Sequence, residues 1–431
     1  MRVWWLELRR SPALLGGPLL VLLHGAITVH QLSPGTSIYL NSSSAVVSGD
    51  LLSGPLAAGL AAWVATREGR RHTAYLRVTS ARGELAQPAL ELSVVLAVAT
   101  VSYLVVAAVV LGRTAAGATW GQPHWAWLAV GWMALTLFVV AGYVAGRLVP
   151  RAWTPPAMML CAYLAGAWNL AQYRRPWYLL SGATVEVVSV FRRLNGELLA
   201  GQALWYAGVA GALLAVAAIM LGPRRRLGVT ALAGCTALAV AGAAIVIGQH
   251  NRVQTSPVSF RYACAGTAPV VCVHPAYAKG LQPLTAAFAD LDRKLAGTPA
   301  GATRIEQLDS DARLRPSAGA QRFALDNLAP GYVQAAIGDF LDSAGIGPTA
   351  CIDLGEQGVR SGAVIYAYMV RAWLMDSGTS QPVAVWTTQQ RAMWNWFVRL
   401  GEEGRRAWLR DRFPRVVACQ ITAADFRTAA P

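Results

Sequence analysis

Pro88-Ala-Leu-Glu-Leu-Ser-Val-Val-Leu-Ala-Val-Ala-Thr-Val-Ser-Tyr-Leu-Val-Val-Ala-Ala-Val-Val-Leu111 carries a single charge, Glu91. A helix rises 1.5 Å per residue, so this stretch reaches about 36 Å and exceeds a hydrocarbon slab of about 30 Å. Six further stretches read the same way: Pro12 to Leu32, Ala45 to Ala65, Ala126 to Val149, Pro155 to Tyr173, Gln202 to Leu221 and Gly228 to Gly248. The expected fold is therefore mostly α: a polytopic membrane domain of about seven spanning helices over residues 1–249. Residues 250–431 read as a separate, water-soluble α+β domain. The first apolar stretch has a charged start but no convincing small-x-small cleavage site, and reads as an uncleaved spanning helix.

Charge sets the orientation. The chain is only 14% charged, with a formal net charge of +15, against about 25% charged residues in soluble domains. The basic excess lies mostly in the membrane half, where 18 arginines face 7 acidic residues. Thirteen of those arginines fall on one side of the expected spans, from Arg2, Arg9 and Arg10 through Arg224, Arg225 and Arg226; five fall on the other. The positive-inside rule then makes the N-terminus cytoplasmic, and seven crossings leave His250 onward outside the cell. The same rule accounts for the basic excess, so the charge does not call for nucleic acid.

The cysteines support that placement. Cys161 and Cys235 lie in apolar stretches and read as buried thiols. Cys264, Cys272, Cys351 and Cys419 all lie in the soluble part, an even number that suits disulfides in an oxidising compartment. Strands on either side of an Ala265-Gly-Thr-Ala268 turn favour Cys264 with Cys272, leaving Cys351 with Cys419. Zinc is the alternative, but the only histidines there are His250 and His274.

Two ionisable residues stand in or near spans, Asp50 and Glu91, and are candidate intramembrane polar groups. Their bland reading puts Asp50 at the outer headgroup level and Glu91 at the inner one, both wet; His24, Asn169 and Gln172 are read likewise. Gly142-x-x-x-Gly146 has the spacing of close helix contact, a weak signal in an Ala- and Gly-rich chain.

Thr66 to Gln87 reads as a basic amphipathic cytoplasmic segment with Arg67, Arg70, Arg71, Tyr75 and Arg77, able to lie on anionic lipid or dock a partner. Arg174 to Gly201 is an outer connection whose centre, Val185 to Phe191, is too short to span. With the short N-terminal segment Arg2-Val-Trp-Trp-Leu-Glu-Leu-Arg-Arg10, this layout over residues 1 to about 222 resembles the permease subunits of type-2 ATP-binding-cassette exporters, as found in many actinobacteria. The resemblance implies an export function, a separate ATPase subunit docked on the Thr66 to Gln87 loop, and work as a homodimer or paired permease. A seventh helix and a large external domain depart from that pattern. The rival expectation is a membrane-anchored scaffold or sensor that transports nothing.

No catalytic constellation emerges. There is no His-Glu-x-x-His, no Gly-x-Ser-x-Gly and no Gly-x-x-x-x-Gly-Lys-Ser/Thr, and the two lysines, Lys279 and Lys294, are both in the soluble part. No cofactor is expected and the chain does not read as an enzyme. In the soluble part, Tyr277 to Leu295, Gly331 to Ala344, Ala363 to Met375, Gln389 to Leu400 and Glu402 to Phe413 read as helices. Strands are expected near Val258 to Cys264, Val270 to Val273, Ala384 to Trp386 and Val416 to Ile421. Of Trp394 and Trp396, one must be partly exposed, because neighbours two apart cannot share a helix face. Asp309/Asp311, Glu402/Glu403 and the basic run Arg405 to Arg412 read as solvated surface.

Overall fold

The computed structural model describes residues 2–70, 86–181, 188–221, 225–309, 316–353, 363–376 and 386–426. They are mostly helical and form two compact units. One comprises Met1–Leu32 and Ser37–Val258, the other Ser33–Thr36 and Ser259–Pro431. The boundary lies beyond the expected Gln249 because β1 (Arg192–Leu194) pairs antiparallel with β2 (Gln254–Pro257), which keeps residues 250–258 with the bundle.

The first unit holds α1 (Arg2–Arg10), α2 (Ala13–Gln31), α3 (Tyr39–Ser48), α4 (Asp50–Arg70), α5 (Ala86–Gly117), α6 (Trp125–Leu148), α7 (Thr154–Ala171), α8 (Gly196–Leu221) and α9 (Arg225–Gly248). Helices α3 and α4 join at Gly49, whose N–H donates to the Ala45 and Val46 carbonyls, giving one 29-residue span from Tyr39 to Arg67. Among the described residues, six helices are long and apolar enough to cross a membrane. The fifth expected span, α7, is not among them. It forms an 18-residue helix, about 27 Å long, but its Thr-Pro-Pro start and Asn169 dilute its hydropathy.

Contacts within the bundle give the helix directions. Gly16 of α2 abuts Leu60 of α4 and Gly49 abuts His24, so α2 and α4 are antiparallel. Gly17 meets Val98 and Gly25 approaches Val106, so α2 and α5 are parallel. The Tyr143 hydroxyl late in α6 donates to the Pro88 carbonyl early in α5, which reverses the direction again. Trp127 to Ala134 of α6 line a small cavity with Gln202 and Tyr206, so α8 begins at the end of the bundle where α6 begins. Gly208 packs on Ala239 and Gly201 on Ile245, so α9 returns antiparallel and leaves at that same end. Arg67, Arg147 and Arg225 lie at the opposite end, called here the arginine end; the end with Tyr39, Trp125 and Gly248 is the far end. Helix α7 carries the chain from the first to the second, packed on α4 through Met159 against Gly59. Asn195 caps α8, its Oδ1 accepting from the Glu197 and Leu198 N–H groups at 3.2 and 3.3 Å.

The Gly142/Gly146 spacing proves structural. A Cβ at Gly142 would lie 2.0 Å from the Ala58 carbonyl oxygen, and one at Gly146 2.6 Å from that of Ala62. Only hydrogen at these two positions lets the α4 and α6 backbones meet. Cys161, expected to be buried, is exposed on the surface of α7, and Cys235 is half-buried.

The second unit is built on a four-stranded sheet of β3 (Ala263–Ala265), β4 (Val270–Val273), β5 (Arg304–Leu308) and β6 (Gln321–Ala324). Strand β3 is antiparallel to β4, while β4, β5 and β6 are parallel. The crossover from β4 to β5 contains α10 (Leu281–Leu295), which buries Leu284, Phe288, Leu291 and Leu295. Its Phe288 ring meets Phe323 of β6 at 5.1 Å and Phe340 of α11 (Tyr332–Ser343) at 5.5 Å. The remaining helices are α12 (Pro348–Asp353), α13 (Ala363–Leu374), α14 (Thr388–Arg399) and α15 (Gly401–Val417). They enclose an aromatic centre in which Phe397 touches Trp373, Trp394, Trp408 and Phe426. A capping box between Thr387 and Gln390 starts α14.

Both expected disulfides are present, Cys264–Cys272 across the β3–β4 pair and Cys351–Cys419 between α12 and the end of α15. The expected strand at Val416 to Ile421 is instead the end of α15 and its exit turn, because that helix continues through Pro414 to Val417. Trp386 belongs to no strand, and residues 384–385 lie outside the described residues. Trp394 is buried and Trp396 half-buried, as helix geometry requires. Asp309 is buried rather than solvated, and Asp311 lies outside the described residues.

Candidate functional site

Helix α1 carries the pattern Trp4, Trp5, Leu6, Leu8 between charged residues, which suits a helix lying at an interface. Two polar bonds fix it to the bundle. Glu7 Oε1 accepts from Arg67 at 2.7 Å, and Trp4 Nε1 donates to Ser93 Oγ of α5 at 3.2 Å. Arg67 sits in the last turns of α4, at the start of the expected Thr66 to Gln87 docking segment. Of that loop's candidate residues, Arg67 is placed; the Arg70 side chain, Arg71, Tyr75 and Arg77 lie outside the described residues. Of the centre of the outer connection, Val185 to Phe191, residues 185–187 lie outside them as well, while Val190 and Phe191 are buried.

Glu91 and Asp50 are both buried inside protein, so neither is wet as the bland reading expected. Glu91 is 3% exposed. Its Oε2 accepts from Arg147 at 3.1 Å and from the Tyr143 hydroxyl at 3.1 Å. Arg147 Nε also donates to the Tyr143 oxygen at 3.1 Å. The carboxylate is thus charge-compensated and hydrogen-bonded, the condition under which a buried ion pair is tolerated.

Asp50 is fully buried, and His24 is 1% exposed. His24 Nδ1 lies 2.9 Å from Ser53 Oγ and 3.7 Å from Asp50 Oδ1, and Ser53 Oγ reaches Asp50 Oδ1 at 3.4 Å. Tyr103 closes the group edge-on, its ring 5.3 Å from the imidazole. His24 Nε2 and Asp50 Oδ2 make no hydrogen bond of ordinary geometry; the Val46 backbone is the polar group facing the imidazole. Unlike the Glu91 group, this one holds no permanent cation. A carboxyl and an imidazole share it instead.

Sequence reading found Asp50, Glu91 and His24 one at a time and missed their partners Ser53, Tyr103, Tyr143 and Arg147. One signal was available: Glu91 begins one span and Arg147 ends the next, so antiparallel neighbours bring them to one level. Asn169 is half-buried, and its Nδ2 donates to the Tyr178 carbonyl at 2.7 Å.

In the second unit His274 ends β4 and accepts from the Ala276 N–H at 3.1 Å, a turn role before a helix. Burial pushes its pKa down to about 4. Its backbone N–H donates to Gln307 Oε1 at 2.8 Å. Glu402 is held below the usual carboxylate range: burial opposes its charge, but Trp373, Arg405 and Arg406 outweigh that. The Arg405 to Arg412 run is accordingly tied to Glu402, Asp411 and Asp425 rather than freely solvated. Among the described residues, no group of three His, Cys, Asp or Glu side chains is placed to hold a metal ion.

No known protein family, curated protein or solved structure matches the chain.

Proposed function

We propose that the chain is the membrane subunit of an export system whose ATP hydrolysis comes from a separate ATPase bound at the arginine end. The observation that carries this reading is the fixing of α1 to the foot of α4 through Glu7–Arg67. Force applied to the segment after Arg70 would act on α4 directly. It would pass to α1 through that ion pair and to α6 through the Gly142/Gly146 seam. The arginine distribution supports a cytoplasmic reading of this end and an extracytoplasmic one of the far end, from which α9 leads on to the disulfide-bearing residues. The chain has no P-loop of its own, so the nucleotide must be held elsewhere. As in the resembled exporters, a homodimer or paired permease would complete the path.

The reading is tested by pull-down of the full chain from its native membrane in detergent. An ATPase should co-purify, and the double variant Arg70→Glu, Arg71→Glu should lose it while still inserting. Unchanged association removes the loop from the mechanism, and no ATPase in the wild-type pull-down removes the exporter reading. The rival, a non-transporting anchor or sensor, draws on one observation. The cavity between α3, α6 and α8 amounts to about 10 Å³, room for about one water, so this arrangement of the bundle offers no path there.

A further inference from the structure

The buried polar side chains of the long span are distributed unevenly about Asp50. On the far-end side stand Ser42, Ser43, Ser44 and Ser48, all buried. Ser42 Oγ meets Thr114 Oγ1 of α5 at 2.6 Å, and Ser43 Oγ accepts from the His124 N–H at 3.3 Å, at the mouth where α6 begins. Thr28 of α2 is buried on the same side, one turn beyond His24. On the arginine-end side, beyond Ser53, α4 buries Gly54, Pro55, Gly59 and a run of Ala and Val from Ala57 to Ala65, with no polar side chain until Thr66. There the Gly142 and Gly146 contacts bring α6 backbone against α4 backbone. Along α3 and α4, buried hydroxyls therefore lead to Asp50 from the far end, whereas toward the arginine end the buried α5 hydroxyl, Ser102, is held by the Gly17 carbonyl at 3.3 Å and the α4 face is alkyl.

We propose that the His24–Asp50 pair, bridged by Ser53, is a proton-binding site filled from the far end of the bundle. With one proton between them the two groups have no net charge, and in so buried a place the proton rests on the Asp50 carboxyl, which leaves both groups neutral. Without it, the pair leaves a carboxylate in the bundle with no cation beside it. The titratable groups facing Asp50 are His24 from α2, Tyr103 from α5 and Tyr206 from α8. The α6 and α7 residues packed on α4 nearest to Asp50, Phe138, Gly142 and Met159, carry no charge, and Arg147 of α6 is held by Glu91 at the arginine end. An uncompensated carboxylate in such surroundings needs water. Release of the proton is therefore linked to opening of the far-end side. The proton comes from water at that mouth and returns to it, with serine and threonine hydroxyls as the polar relay. The two atoms without hydrogen bonds, Nε2 and Oδ2, are the positions where the exchanging proton or an entering water finds a partner. This site does not rest on the exporter reading; a partner ATPase is not needed for the pair to bind a proton.

The test uses the full-length protein in oriented liposomes, with infrared difference spectra recorded while pH is stepped on one side with impermeant buffers. Between about pH 5 and pH 9, a step on the far-end side should remove the carbonyl stretch of a protonated carboxylic acid. Asp50→Asn should abolish that signal, and His24→Gln should move its midpoint by at least about one pH unit. A purely structural polar cluster would show no such titration. Should Asp50→Asn fail to accumulate, wild type grown with isotope-labelled aspartate and the Ser53→Ala variant replace it. The band must then carry the isotope shift and change frequency on loss of the serine hydrogen bond. A signal absent at every pH, a signal constant across the range, or one answering first to the arginine end overturns the proposal.

Discussion

Replacing Gly142 by Ala should push apart a pair of helices that only a glycine allows to touch. The new Cβ would stand 2.0 Å from the Ala58 oxygen, 2.6 Å from its carbonyl carbon and 2.7 Å from its Cα. Carbon atoms settle at about 3.5–4.0 Å. All three obstacles are backbone, so no side chain can swing aside, and α4 and α6 must separate locally by about 1 Å. Overpacking of this kind costs about 1–3 kcal/mol. Ala also gains about 1 kcal/mol over Gly in a helix, which masks some of the loss. Gly112 supplies the control, because a Cβ there meets nothing within 4 Å. Gly112→Ala keeps the propensity gain without the clash, so the two variants should differ by about 2 kcal/mol. For a unit of this size that is roughly 4–8 °C in melting temperature. The assay is heating of detergent-purified full-length protein, followed by size-exclusion measurement of the surviving monodisperse fraction. If Gly142→Ala melts at or above Gly112→Ala, the α4–α6 seam is not the close contact described, and force on α4 would not reach α6 through it.

Two further outcomes follow from the buried charges. Glu91→Gln leaves Arg147 buried without its counter-charge and should cost about 3–5 kcal/mol, whereas the double change Glu91→Leu, Arg147→Met should recover much of that loss; the melting assay decides, and equal damage in single and double variants would refute the pairing. In the second unit, His274 has a folded pKa of about 4 against an unfolded value of about 6.5. The unfolded state therefore takes up the proton first, and stability declines as pH falls from about 6.5 to about 4, by up to about 3 kcal/mol in all. Urea unfolding followed by tryptophan fluorescence should show this acid loss and its reduction in His274→Asn; an equal loss in both would assign it to other groups.

Reading the sequence separated an apolar half from a polar one because a bilayer-length run of alkyl side chains has a signature that single helices display alone. Ala45 to Ala65, Pro88 to Leu111 and Gly228 to Gly248 all fall within helices of the bundle. The disulfide pairs were legible for a local reason, the strand–turn–strand around Ala265 to Ala268, with the second pair left by elimination. Legibility failed where neighbours on other helices decide the answer. Val416 to Ile421 has β-branched and apolar character, yet α15 extends over its start because Val416 packs into the core. Asp50 and Glu91 were each placed in headgroup water because a single span shows where a charge stands along its axis and nothing of what faces it.

Composition, charge and spacing by themselves determined that the chain has a bundle of apolar helices, a basic end and a disulfide-bearing polar unit. Those properties depend on residue type and on distance along the chain. Which polar side chains meet was decided only by the tertiary structure. His24 and Asp50 come from different helices, as do Glu91 and Arg147, and their contact depends on helix direction and rotation, which no single stretch encodes. The same holds for Gly142. Its spacing to Gly146 is common, and it gained a role only because the Ala58 backbone lies against it.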